Sequence, residues 1–195
     1  ITYWCSEKDN GQADAINKGL KRATGDLVCW INSDDILYPH FVEKFVNHFV
    51  SHPNVDFLYG DVEQGTDLQH ATFRKGEVID YPTMLRTLRV PMPQQATMWR
   101  RGVMDKIGYL DPQWHVLLDR EYFMRIAQHC VIEYRPGVVA FFRNHENANA
   151  QLASILGFRN DSKFVVYILC QALLCALLGF MIVKIRAVVL GFDTY

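Results

Sequence analysis

The sequence predicts an α/β fold, an open and mostly parallel sheet with helices on both faces, entered part-way through its N-terminal half. Three observations carry the prediction. Short apolar runs alternate with segments whose apolar residues recur at helical spacing. The short runs are nearly continuous and rich in β-branched and aromatic residues, as expected of strands covered on both faces. No internal repeat or low-complexity stretch interrupts the alternation. At 195 residues the chain is long enough for one such domain with a sizeable core and an appended segment.

In order, "ITYWC" reads as a short strand running into the polar loop "SEKDNG". The start at Ile1 therefore looks like mid-domain, and no signal-peptide pattern precedes it. "QADAINKGLKRATG" places Ala13, Ile16 and Leu20 at helical spacing before Gly25 stops the helix. "DLVCWI" is the next strand, expected to be buried on both faces. "PHFVEKFVNHFVSHP" follows as a helix bounded by prolines, with Phe41, Val42, Phe45, Val46, Phe49 and Val50 as its apolar face. "NVDFLYGDV" is a strand, "ATFRKGEVI" a hairpin arm, and "YPTMLRTLRV" a helix. "PMPQQATMWRR" is extended, a helix begins near Leu118 or Asp119, and "VIEYRPGVVAFFRNH" supplies one or two late strands.

Residues 1–155 thus form the domain, and 156–195 are different in kind. Residues 164–183, "FVVYILCQALLCALLGFMIV", carry no formal charge and meet the length of about 20 residues that a bilayer crossing needs. Lys184 and Arg186 favour a cytoplasmic C-terminal flank, an inference that Lys163 and Arg159 on the other side oppose. The expectation is membrane association through this helix. The alternative is a hydrophobic helix packed on the domain or on a partner. A formal net charge of −1 excludes the basic coating of a nucleic-acid binder. The five cysteines show no C-x-x-C pair and sit mostly in apolar runs, consistent with reduced thiols in a cytosolic setting.

Asp34 and Asp35 stand at the tip of the "LVCWIN" strand, where ligands collect in open α/β sheets. Two hard oxygen donors there suit Mg²⁺ or Mn²⁺, which takes one or two protein carboxylates and completes its shell with water and phosphate oxygens. Taken alone the pair reads equally as a cap for the following helix, starting near Pro39.

The stretch "SEKDNGQADAINKGLKRATGDLVCWINSDDILYP" resembles the nucleotide-sugar region of family 2 glycosyltransferases of the GT-A fold. The matching features are Gly11, then Ala15, Asn17 and Gly19 of an A-x-N-x-G helix, then Asn32-Ser33-Asp34-Asp35 as a D-x-D-type motif. The resemblance continues through "PMPQQATMWRRGVMDKIGYLD", "LLDREYFMRIA" and "FFRNHENAN", so it covers residues 3–150 in order. Asn32 departs from the pattern, standing where many relatives carry the first Asp. The first strand and the early uracil-binding Asp of such enzymes are not in this chain.

The resemblance implies an inverting transfer of sugar from a nucleoside-diphosphate donor, UDP-linked, to a glycan or lipid-linked acceptor at the cytoplasmic face of a membrane. It implies a metal held by Asp34 with Asp35, and His145 as the late histidine closing over metal or diphosphate. It implies Asp119 as general base, with Glu121 as second choice and Arg125 as a partner of either. Gly11, Gln12 and Asn17 are expected donor contacts, and Gln95, beside Gln94, a contact to sugar hydroxyls. Each has a plainer reading: His145 as a surface histidine, Asp119 as a helix-start carboxylate favoured by the macrodipole, and the glutamines as loop caps. The rival from another class is a catalytically inactive partial domain serving as a membrane-tethered binding module.

Overall fold

The computed structural model describes residues 2–114 and 117–144. The 164–183 run and His145 lie outside the described residues. Among those described, no helix is long and apolar enough to cross a membrane.

The elements in chain order are α1 (Gln12–Arg22), β1 (Leu27–Val28), β2 (Ile36–Leu37), α2 (Phe41–Ser51), β3 (Phe57–Gly65), β4 (Thr72–Arg74), α3 (Tyr81–Thr87), β5 (Thr97–Arg100), α4 (Val103–Ile107), α5 (Leu118–His129) and β6 (Ile132–Arg143). Short 3₁₀ turns at Leu68–His70 and Gln94–Ala96 precede β4 and β5. The sheet runs β1-β5-β3-β6-β2, and β4 also pairs with β3. The α/β class and the helices on both faces stand as expected.

The sheet is mixed rather than mostly parallel. Only β3–β6 pairs in parallel, while β1–β5, β3–β5, β3–β4 and β2–β6 are antiparallel. Continuous apolar runs report burial on both faces, and a mixed sheet between two helical layers satisfies that as well as a parallel one. On one face Phe57, Tyr59 and Trp99 pack with α1, α3, α4 and α5 through Leu20, Met84, Val103, Tyr122 and Phe123. On the other, Leu58, Val62, Met98 and Val139 pack with Phe41, Phe45 and Phe49 of α2. The alternation along β3 follows from the two-residue period of a strand.

Three local expectations are corrected. Residues 2–9, within "ITYWC" and its loop, form no strand; they lie exposed beside α1, with the Arg22 guanidinium over the Tyr3 ring at 4.4 Å. The "DLVCWI" strand shrinks to two residues. Beyond Val28 the chain leaves β5, and Trp30 packs by its ring instead, edge-on to Trp99 and stacked on Phe123. In α2 the buried set is Phe41, Phe45, His48 and Phe49, while Val42 and Val50 are exposed. At about 100° per residue the buried four fall within one ~100° arc, and Val42, Val46 and Val50 continue beyond its edge.

Candidate functional site

β1 and β2 are joined by a turn in which the Asp35 amide donates to the Asn32 carbonyl at 3.2 Å. The helix-capping alternative for the acidic pair does not hold: β2 intervenes before α2, which starts at Phe41 behind His40 with no side-chain cap. Asp34 and Asp35 instead stand at the entrance to β2, which is paired with the end of β6.

Asp35 is held from three directions. Asn32 Nδ2 donates to its Oδ2 at 3.0 Å and Gln95 Nε2 donates to the same oxygen at 3.1 Å. The Arg143 backbone N–H donates to Oδ1 at 3.0 Å. Gln94 closes the arrangement, accepting from Asn32 Nδ2 at 3.2 Å and donating to the Trp30 carbonyl at 2.8 Å. Arg143 Nε donates to the Asp34 carbonyl at 3.1 Å. Burial pushes the Asp35 carboxyl above its ordinary range, and the neighbouring Asp34 charge adds to this. The bonds from Arg143, Gln95 and Asn32 pull the other way.

A carboxylate offers about four lone-pair sites. Three on Asp35 are taken, so Asp35 acts as the anchor of the turn and orients Asp34, which is partly buried beside it. The pair fits a hard divalent cation that takes one or two protein oxygens and leaves the rest of its shell to water or phosphate. Among the described residues no group of three or more His, Cys, Asp or Glu is arranged to hold a metal, so the described residues contribute this pair at most. β6 ends at Arg143, two residues before His145.

Asp119 opens α5 behind Leu117, whose φ of 60° is in the left-handed region that leucine rarely adopts. The residue keeps some accessible surface, yet its carboxyl is closely surrounded by protein. That burial lifts its proton affinity, while Arg120 and, more weakly, Arg74 of β4 act to lower it. Arg74 is itself influenced by Arg120 and Asp119. The second-choice base is committed elsewhere. Glu121 is buried and holds a two-pronged ion pair with Arg125, at 2.5 Å to Nε and 2.8 Å to Nη2. Arg125 also donates to the carbonyls of Ile107 and Tyr109, tying α5 to the end of α4.

The donor-side candidates divide. Gly11 precedes α1 with φ 115°, a conformation that glycine adopts without strain. Gln12 is exposed on the first turn. Asn17 is buried, donating to the Leu110 carbonyl at 2.7 Å and accepting from the Leu110 N–H at 3.0 Å. It clamps α1 to the segment after α4. Asn17→Ala strands both Leu110 groups and is expected to lower stability by about 1–3 kcal/mol, read by urea denaturation.

The structure therefore brings together Asp34, Asp35 and Gln95, and sets Asn17 in the scaffold. Sequence reasoning missed Arg143 and Arg74, and met Asn32 only as a departure from a motif. No local pattern marks Arg143, because the group it contributes to Asp35 is a backbone N–H 108 positions away.

The mixed sheet with helices on both faces is an α/β fold of the GT-A kind. Residues 1–110 match the family model described as glycosyl transferase family 2, and the chain belongs to that family. It is 28% identical over 158 residues to the uncharacterized glycosyltransferase YwdF of Bacillus subtilis, covering 76% of this chain and 57% of that protein. It is 30% identical over 139 residues to a PGL/p-HBAD biosynthesis glycosyltransferase of Mycobacterium bovis, covering 70% and 52%. The chain thus spans a little over half the length of these relatives. Among solved structures, S. aureus TarS 1–349 superposes with a TM-score of 0.55 at 17% identity, over 71% of this chain and 42% of that one. The same protein in complex with UDP-GlcNAc gives 0.55 at 16% identity, over 70% and 40%. At these identities the likeness is one of fold.

Proposed function

We propose that the protein transfers a sugar from a UDP-linked donor to a glycan or lipid-linked acceptor with inversion at the anomeric carbon, assisted by Mn²⁺ or Mg²⁺, at the cytoplasmic face of a membrane. The observation that carries this reading is the Asp35 anchor: Asn32, Gln95 and Arg143 converge on one carboxylate and hold Asp34 beside it. Family membership and the UDP-GlcNAc complex of TarS support the donor class.

Asp34, with Asp35 behind it, would hold the cation, which when bound supplies charge neutralisation for a departing diphosphate. Gln94 and Gln95 hold the turn, and the second amide hydrogen of Gln95 can meet a sugar hydroxyl. Asp119 would take the proton of the acceptor hydroxyl as that oxygen attacks, its raised proton affinity suiting it to the task better than an ordinary surface carboxylate. A single displacement with the base on the acceptor side inverts the anomeric centre.

The test is calorimetric titration of the full-length protein with UDP, in Mn²⁺ and in EDTA, followed by UDP release from UDP-glucose, UDP-galactose and UDP-GlcNAc. Metal-dependent binding with turnover is the expected result. Binding without turnover would favour the inactive tethered module, and no UDP binding in either condition would sink the donor assignment.

A further inference from the structure

Asp61 is a carboxylate in the middle of β3 with 3% of its surface exposed, and the chemistry above does not use it. Its Oδ1 accepts from the Gly76 N–H at 2.8 Å and from the Tyr134 hydroxyl at 2.6 Å, and its Oδ2 accepts from the Gly137 N–H at 2.6 Å. A buried carboxyl is tolerated when its oxygens are hydrogen-bonded, and three donors meet them here. The surroundings are built to admit them. A Cβ on Gly76 would meet the Tyr134 ring at 2.8 Å, and one on Gly137, where φ is +119°, would meet Lys44 Nζ at 2.3 Å.

Asp61 sits where the β3–β6 register breaks. Tyr59 is opposite Tyr134, Asp61 opposite Val138, and Gly65 opposite Arg143. Six steps along β3 (59 to 65) are therefore matched by nine along β6 (134 to 143), an excess of three. An odd excess exchanges the two faces of the later part of β6, so the bulge decides what each β6 residue presents downstream. The downstream end carries the Arg143 N–H that meets Asp35. On the opposite edge of β3, the Gly76 bond fastens the chain two residues after Arg74, the cation that acts on Asp119.

We propose that Asp61 is a positioning residue for transfer. Its carboxylate locks the β6 bulge and the segment after β4, and so sets the Arg143 N–H against Asp35. The catalytic part of this inference rests on the function proposed above.

The test compares Asp61→Asn, nearly isosteric but presenting an NH₂ to at least one donor, with Phe45→Ala, a core truncation in α2. Both are made in the full-length protein. Asp61→Asn is expected to raise amide exchange at Arg143 and Gly76 by at least about tenfold. It should also raise the KM for the UDP-sugar, lower kcat about tenfold or more, and displace the acid limb of the pH–rate profile. Phe45→Ala should lower the melting temperature with kcat and the pH profile retained. Unchanged exchange at Arg143 overturns the proposal, as does a loss of kcat no greater than in Phe45→Ala at matched folded fraction. Should the wild type turn over no UDP-sugar, the functional reading fails, and the Arg143 exchange result alone then decides whether Asp61 sets the register.

Discussion

Asp119→Asn is expected to reduce glycosyl turnover by about 10²–10⁴-fold, the usual reach of general base catalysis, and to leave UDP affinity within about twofold. The amide preserves shape and removes the proton acceptor. Two further readouts separate a base from a merely structural carboxylate. Burial raises the folded-state pKa of Asp119, so the acid limb of kcat in the wild type should lie above the ordinary aspartate value of about 3.9 and disappear in the variant's residual rate. Stability moves the opposite way from activity. A carboxyl that holds its proton more tightly when folded favours the fold below its unfolded pKa, and that contribution is lost as pH rises through the folded pKa. Above its folded pKa the ionised Asp119 is therefore a net burden on the fold, and there the asparagine variant should melt at the same or a higher temperature. Turnover retained in that variant would remove Asp119 from the role of base.

Asp34→Ala is expected to cut the gain in UDP affinity produced by Mn²⁺ by about tenfold or more, since one charge-assisted contact is worth ~1.5–3 kcal/mol. Asp35→Ala should behave differently. It strands the Asn32 and Gln95 amides and the Arg143 N–H, so it should lower stability by about 1–3 kcal/mol as well as metal-dependent binding. Titration with UDP and urea denaturation on the same two variants distinguish ligand from anchor. Equal loss of stability in both would show that the two carboxylates share a structural task.

Much of the local structure could be read from the residues alone. The apolar spacing of α1 and the apolar run of β3 point to elements that the fold contains, and α5 begins at Leu118, where the leucine and aspartate were expected to open a helix. Strand direction was not readable, since "DLVCWI" and "NVDFLYGDV" record how much water their faces lose and not which way their neighbours run. The acidic pair was conspicuous, but its anchoring was not. Gln95 and Arg143 reach Asp35 from 60 and 108 positions away, and one of them does so with a backbone group that every residue other than proline carries. Likewise, the Glu121–Arg125 pair is an ordinary helical spacing, and the burial of Glu121 depends on how α5 packs against the rest of the fold, including the end of α4.

The parallel pairing of β3 with β6 joins Phe57 to Ile132 and Gly65 to Arg143, at the centre of the sheet. That has a consequence for biosynthesis. The middle strand stays without its long neighbour until the ribosome has released residues as late as 143, so α2 and the β3–β4 hairpin must wait, partly assembled, with apolar surface open to chaperones. Nascent chains arrested before residue 132 should be readily cleaved by protease near β3, and those extended past 143 should resist it.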